Sequence, residues 1–306
     1  MSQSNRGLTS ITRYIKKLRG GSQPILAEAS DGRLYVVKFF DNPQGANLMF
    51  NESMGVELYD ALGLPSPAWT PLLATDSFLD VNPACWLQTP KGPLRPTAGL
   101  CFGSRYLGGN EKQMFEILPG SYFKRVTNHK SFWLAWLVDI CARHADNRQA
   151  IFLQNSKGQL DASFIDHGHL FGGPKGGMEQ HFLASRYLDP RIYQNVSSLY
   201  LLNLEKRALS LDGDRLWKRI QELPSEWTTT SATKEFAQCL NRLSKQKLLQ
   251  NIVDTMVDAH QKAYELECSK SQLGLTFADG VLRPRVSTSE LEDRFARSRF
   301  CRSACA

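Results

Sequence analysis

An apolar stretch of the chain, residues 131–143, precedes a short polar loop and two runs of strand-forming residues. Large apolar side chains recur in the stretch at the spacing of one helix face: Phe132, Trp133, Trp136, Leu137 and Ile140. The polar loop, residues 144–149, leads to Ile151-Phe152-Leu153. A turn at residues 155–158 then precedes Ala162-Ser163-Phe164-Ile165. The pattern predicts a helix, a loop and a β-hairpin in that order.

Two aspartates flank this hairpin, Asp146 in the polar loop and Asp166 at the end of the second strand. Phosphoryl transfer needs a carboxylate near the acceptor hydroxyl, and it needs oxygen ligands for the Mg²⁺ that neutralises the phosphates. An aspartate in the loop before the hairpin, Asp146, suits the first need, and one at the strand end after it, Asp166, suits the second. The alternative is that both are ordinary turn residues, Asp146 beside Asn147 and Asp166 beside Gly168.

A second hairpin is predicted earlier in the chain, over residues 24–40, with its turn at Asp31-Gly32. Residues 46–62 predict a helix that ends at Gly63. Strand alternation puts Lys38 on an apolar face, and helical spacing puts Glu52 on an apolar stripe.

Buried charges are costly unless they are paired, so Lys38 and Glu52 are predicted to form an ion pair. A lysine held in this way can bind the phosphates of a nucleotide. The alternative is that Lys38 reaches the surface along its aliphatic stem and Glu52 is solvated.

A glycine-rich segment, Gly20-Gly21-Ser22-Gln23-Pro24, immediately precedes the first strand of that hairpin. Adjacent glycines let backbone N–H groups approach a phosphate, and Ser22 adds a hydroxyl donor. Taken alone the segment reads as a plain loop, and its position before Lys38 is what favours nucleotide binding.

Composition restricts the remaining classes of function. Lys and Arg outnumber Asp and Glu by 37 to 30, but the excess is spread along the chain and does not favour specific nucleic-acid binding. No apolar run approaches the roughly 18 residues of a membrane span, and residues 1–19 lack the apolar core of a signal peptide, so we expect a cytoplasmic protein without a membrane segment. The cysteines form no CxxC pair, which argues against a zinc site.

With these residues in place, the chain resembles the HipA-like kinases, bacterial relatives of the protein kinases and phosphoinositide kinases. The resemblance spans about residues 10–175 and extends more loosely to about 268. The segments that carry it are Gly20-Gly21-Ser22-Gln23-Pro24, Tyr35-Val36-Val37-Lys38-Phe39, Asn42-Pro43-Gln44-Gly45, Asn51-Glu52, Leu62-Gly63-Leu64-Pro65-Ser66-Pro67, Phe102-Gly103-Ser104-Arg105-Tyr106, and residues 144–152 and 164–169.

The resemblance implies an α+β, two-lobed protein-kinase-like fold. The small sheet-rich N-lobe would comprise residues 1–118 and the mainly helical C-lobe residues 119–268, with a basic tail over 269–306 that we expect to be disordered. We also expect three amphipathic helices over about residues 195–268.

The resemblance further implies an ATP- and Mg²⁺-dependent kinase that phosphorylates serine or threonine in a protein. Lys38 would contact the α- and β-phosphates, Asp146 would serve the acceptor hydroxyl and Asp166 would bind Mg²⁺. Some members of the family are toxins restrained by a partner, which implies a regulatory partner here.

The chain departs from the family at one position. Many members carry an Asn five residues after the catalytic Asp, where this chain has Ile151. The loop is shortened, so Gln149 takes the metal-binding role of that Asn, with Asn147 as the rival. The departure leaves a weak kinase or a nucleotide-binding pseudokinase as alternatives. A lipid or small-molecule kinase is a further alternative because the fold does not fix the acceptor, and a non-catalytic interaction module is another.

Overall fold

The structure, a computed structural model, describes residues 8–109, 113–178, 185–193, 196–272, 276–278 and 281–283. The chain forms two compact units, Met1–Asp254 and Thr255–Ala306. The first unit is rich in strands in its first part and mainly helical in its second part. The predicted α+β class is therefore confirmed, whereas the predicted lobe boundaries remain a prediction.

The first part of the chain is built on a five-stranded antiparallel sheet with the order β1-β2-β3-β7-β4. A short separate hairpin, β5-β6, and two helices accompany it. The elements in chain order are β1 (Ile11–Lys17), β2 (Ile25–Ala29), β3 (Leu34–Lys38), α1 (Leu48–Ala61), β4 (Trp69–Ala74), α2 (Asp76–Val81), β5 (Leu87–Thr89), β6 (Gly92–Leu94) and β7 (Gly99–Arg105).

The predicted hairpin is present as β2 and β3, with Ile25 opposite Val37 and the turn at Asp31-Gly32. Gly32 has a φ of 73°, a conformation that glycine adopts without steric cost. The short helix α2 was not predicted, although Thr75 caps it by accepting a hydrogen bond from the backbone N–H of Phe78 at 3.2 Å.

Helix α1 lies in the interior of the first unit and is buried along almost its whole length. A core cluster joins its residues Leu48, Met49 and Val56 to Phe102 of β7 and to Trp227 from the helical part. The carboxylate of Glu57 also accepts two hydrogen bonds from the Arg219 guanidinium, at 2.8 and 2.9 Å. The helix is therefore held from both the sheet side and the helical side.

The second part of the unit begins with a three-stranded sheet of order β10-β9-β8, next to helix α3. Its elements are β8 (Met114–Phe115), α3 (Ser131–Cys141), β9 (Gln149–Gln154) and β10 (Leu160–Ile165). The predicted order of helix, loop and hairpin is confirmed.

Four helices follow in the described residues: α4 (Ser198–Leu209), α5 (Gly213–Gln221), α6 (Thr230–Leu243) and α7 (Gln246–Gln272). The prediction of three helices was wrong. Side-chain caps mark the starts of two of these helices. Asp212 accepts from the N–H of Arg215 at the start of α5, and Thr229 accepts from the N–H of Ala232 at the start of α6.

The second unit contains the end of α7 and an antiparallel pair, β11 (Thr276–Ala278) and β12 (Val281–Arg283). Helix α7 thus runs past residue 269, the predicted start of the basic tail. The arginine-rich residues 294–302 lie outside the described residues. None of the described helices is long and apolar enough to cross a membrane.

Candidate active site

Lys38, the last residue of β3, is the centre of the candidate site. Its side chain is 7% exposed, and its ammonium donates to the carboxylate of Glu52 on α1 and to Asp166 Oδ1 at 2.8 Å. The predicted ion pair with Glu52 is therefore present. The contact with Asp166 joins residues 128 positions apart, and it brings the two predicted parts of the site together.

Electrostatic interactions keep both Lys38 and Asp166 charged. Burial alone would lower the pKa of Lys38, but the carboxylates of Asp166 and Glu52 outweigh it and raise that pKa. Burial would likewise raise the pKa of Asp166, but the Lys38 ammonium outweighs it and holds that pKa well below its usual value. At neutral pH the pair is ionised.

Glu52 also forms hydrogen bonds with the segment that follows Asp166. Its carboxylate accepts from the backbone N–H of Gly168 at 2.9 Å and from that of His167 at 3.2 Å. Glycine at position 168 permits this close approach: a Cβ there would lie 2.4 Å from Leu48 Cδ1 and 2.8 Å from Glu52 Oε1, so both side chains would have to shift.

Asp166 stands where β10 ends, and its backbone adopts a left-handed conformation with φ of 58°. Its side chain is 28% exposed, so one side of the carboxylate faces the opening of the site. The side-chain amide of Gln149, the first residue of β9, donates to Asp166 Oδ2 at 3.0 Å. Gln149 and Asn147, the two candidates for the second metal ligand, are both exposed.

Asp146 is partly buried in the loop between α3 and β9. Its Oδ1 accepts from the backbone N–H of Asn147 at 2.7 Å, which fixes the orientation of the carboxylate. The preceding residue, Ala145, donates its N–H to the carbonyl of His169 at 3.0 Å. The loop of Asp146 is thus tied to the segment that follows Asp166.

The glycine-rich segment before β2 is tied to the loop before α1. Asn42 donates to the carbonyl of Ser22 at 2.7 Å, and a Cβ on Gly21 would lie 2.6 Å from Gln44 Nε2. That same Gln44 nitrogen is 3.5 Å from His169 Nε2, so Gln44 lies between the glycine-rich segment and the residues that follow Asp166.

The members of this segment differ in what they can offer a ligand. Gly20 and Gly21 are exposed, whereas Ser22 is buried. The amide of Gln23 bonds to both the carbonyl and the N–H of Gln88, at 2.8 and 2.7 Å. Gln23 therefore holds the segment to β5.

Sequence reasoning missed Arg148, which is buried behind the site. Its guanidinium donates to both oxygens of Asp139 at 2.8 Å and to the carbonyl of Ile165 at 3.0 Å, immediately before Asp166. The sequence did indicate that a buried cation was needed, because Asp139 is a carboxylate inside an apolar helix and requires a partner.

The donors around Asp166 suit Mg²⁺ better than a softer metal. In the described residues no three His, Cys, Asp or Glu side chains converge on a metal-binding position. The Asp166 carboxylate and the side-chain carbonyl of Gln149, whose amide nitrogen contacts Asp166, are instead hard oxygen donors of the kind that Mg²⁺ uses when phosphates complete its coordination. The residues therefore fit a metal that arrives with a nucleotide.

No protein-family model matches the chain, and no curated protein matches it by sequence. The solved structures that are similar to it include three that are named as kinases. The proinflammatory kinase CtkA of Helicobacter pylori is 14% identical, with a TM-score of 0.48, over 84% of this chain and 98% of that one. The Golgi casein kinase with Mn/ADP bound is 14% identical, with a TM-score of 0.43, over 81% and 74%.

A further structure of the Golgi casein kinase is 13% identical, with a TM-score of 0.45, over 82% and 74% of the two chains. At these identities and TM-scores the function of the chain has to come from its own site. The resemblance to HipA-like kinases stays a prediction.

Proposed function

We propose that this chain is an ATP-dependent kinase of the HipA-like type that transfers the γ-phosphate to a serine or threonine hydroxyl of a protein. The observation that carries the proposal is the position of Lys38 between Glu52 and Asp166. A buried ammonium on a strand, paired with a helix carboxylate and adjacent to a second carboxylate at a strand end, matches the phosphate-binding lysine and metal-binding aspartate of a kinase.

Each residue then has a distinct task. Lys38 binds the α- and β-phosphates and Glu52 holds its ammonium in place, while the backbone of Gly20 and Gly21 approaches the phosphates. Asp166 and Gln149 hold Mg²⁺, which when bound neutralises charge on the phosphates. Asp146 orients the acceptor hydroxyl and accepts its proton.

Gln149 is the better candidate than Asn147 for the second metal ligand. Both side chains are exposed, but the amide nitrogen of Gln149 already contacts the Asp166 carboxylate, whereas Asn147 contributes its backbone N–H to Asp146. The longer side chain of glutamine loses more rotamer freedom when it binds a metal, so this site would hold Mg²⁺ less firmly than an asparagine would.

The test is transfer of label from γ-labelled ATP with Mg²⁺ to the protein itself and to a mixture of phosphoacceptor proteins. Asp146→Ala and Asp166→Ala should abolish transfer, whereas Asp60→Ala, at an exposed position at the end of α1, should leave it unchanged. Equal transfer by all four proteins would contradict the assignment.

Two further readouts separate the alternatives. Stabilisation by Mg²⁺-ATP without transfer indicates a pseudokinase, because a ligand that binds only the folded state raises the melting temperature. Transfer to inositides or sugars but not to proteins indicates a lipid or small-molecule kinase. No stabilisation at millimolar nucleotide contradicts nucleotide binding altogether.

A further inference from the structure

Asn51 precedes Glu52 on α1 and is fully buried. Its side-chain nitrogen donates to the carbonyl of Gly168 at 2.9 Å and to the carbonyl of Leu170 at 2.8 Å. Both hydrogens of the amide are therefore used on one short segment. Rotating the amide by 180° would bring its oxygen against the two carbonyl oxygens, so the hydrogen bonds determine its orientation.

Asn51 and Glu52 together bind four backbone groups of residues 167–170. Glu52 accepts from the N–H groups of His167 and Gly168, and Asn51 donates to two carbonyls. On its other side the segment is bound by the N–H of Ala145, which donates to the carbonyl of His169. Five backbone groups of residues 167–170, which directly follow Asp166, are thus bonded to α1 and to the loop of Asp146.

These hydrogen bonds to residues 167–170 matter because of the backbone conformation of Asp166. Its φ of 58° is left-handed, a region that residues with a side chain adopt uncommonly and that the surrounding structure helps to hold. If the following segment relaxed, the Asp166 carboxylate would turn away from Lys38 and Gln149. Among the described residues, Asn51 Oδ1 is buried without a hydrogen-bond partner, a stability cost that an apolar side chain of similar size would avoid.

We propose that Asn51 is a positioning residue that fixes the segment after Asp166 and thereby aims the Asp166 carboxylate at the metal. The inference rests on the proposed kinase function. Groups that orient a metal ligand through hydrogen bonds typically change metal affinity about 10- to 100-fold when they are replaced.

Ser53 provides a matched control. It is also fully buried on α1, but its hydroxyl donates to the carbonyls of Met49 and Phe50 within the same helix, at 2.8 and 3.1 Å. Ser53→Ala therefore perturbs the helix interior without touching the segment after Asp166.

The experiment compares Asn51→Asp with Ser53→Ala. Asn51→Asp keeps the shape of the side chain and replaces the donating amide by an oxygen that repels both carbonyls. Asn51→Ala, which adds no charge, is measured alongside it in case the aspartate variant fails to fold, and near-UV circular dichroism selects the folded variants. The first readout is hydrogen exchange of residues 164–171 without metal or nucleotide, and the second is Mn²⁺ affinity in the presence of ADP.

We expect faster exchange over residues 164–171 and at least about tenfold weaker Mn²⁺ binding in the Asn51 variants. Ser53→Ala should exchange like the wild type there and bind Mn²⁺ within twofold of it. The inference is overturned if folded Asn51 variants match Ser53→Ala in both readouts. If the wild type itself fails to bind Mn²⁺-ADP, the proposed function fails, and the exchange measurement still decides whether Asn51 fixes the segment.

Discussion

Replacing Asp139 with asparagine removes a charge from the interior behind the site and hardly alters the shape of the side chain. Asp139 is fully buried on α3, and its carboxylate accepts two bonds of 2.8 Å from Arg148 and one of 2.7 Å from the Tyr59 hydroxyl. The introduced asparagine would offer one acceptor oxygen and turn an N–H₂ group toward a buried guanidinium. Arg148 would then lack a counter-charge.

The expected cost follows from that uncompensated charge. Burial alone would lower the pKa of Arg148, but Asp139 raises it, so the guanidinium remains protonated. Breaking a buried pair by removing one partner destabilises a protein by about 3–5 kcal/mol. We expect this loss for Asp139→Asn and a similar one for Arg148→Met. The double variant contains neither buried charge, and it should lose only about 1–2 kcal/mol for the unpaired polar groups that remain.

Urea unfolding followed by tryptophan fluorescence measures these values, because Trp133 and Trp136 lie on the same helix as Asp139. Asp80→Asn is the control: Asp80 pairs with Arg95 at the surface, and its loss should cost less than about 1 kcal/mol. A loss below about 1 kcal/mol for Asp139→Asn would refute the reasoning. So would a double variant whose loss equals the sum of the two single losses.

Three further outcomes follow from the site. Lys38→Met should lose the stabilisation by Mg²⁺-ATP, about 2.7 kcal/mol at a hundred times the Kd, in a thermal-shift titration, whereas the exposed Lys175→Met should keep it. Burial, helped by the charge of Arg148, holds the pKa of His144 well below its usual value, so unfolding takes up a proton below about pH 6.5. As the pH is lowered below that value, the free energy of unfolding should therefore decrease by up to about 1.4 kcal/mol per pH unit for this residue. In urea titrations at several pH values, His144→Leu should show a smaller decrease than the wild type. Gly168→Ala should lose about 1–3 kcal/mol because its Cβ would meet Leu48 and Glu52, whereas Gly109→Ala, in open space, should change stability little.

The correctly predicted features depend on local sequence patterns. The turn at Asp31-Gly32 determines the first hairpin, and the helix over residues 131–141 follows from its apolar spacing. The pairing of Lys38 with Glu52 was also predictable, because each is a charge on an otherwise apolar face. A buried charge requires a partner, and the neighbouring element offered one.

The features that were not predicted depend on contacts between distant parts of the chain. Strand β7 pairs with both β3 and β4, which fixes the position of Lys38 opposite Phe102, and no local pattern specifies that order. Strand β1 was not predicted, because most of its residues are polar, and in the sheet order its neighbouring strand is β2. The contacts of Arg148 with Ile165 and of Gln149 with Asp166 require the hairpin to be closed.

Among the residues that contact Lys38 and Arg148, the charges account for one another except at one position. Two cations, Lys38 and Arg148, face three carboxylates, those of Glu52, Asp139 and Asp166. Burial raises the pKa of Glu52, but its carboxylate accepts from the Lys38 ammonium and from two backbone N–H groups, and these donors favour the ionised form. One negative charge is then in excess. Asp139 is fully buried and the Glu52 side chain is 3% exposed, whereas the Asp166 side chain is 28% exposed, so the excess lies at the carboxylate that faces the opening. A site of this kind favours a cation at Asp166, and this is the position at which the proposed reaction requires one.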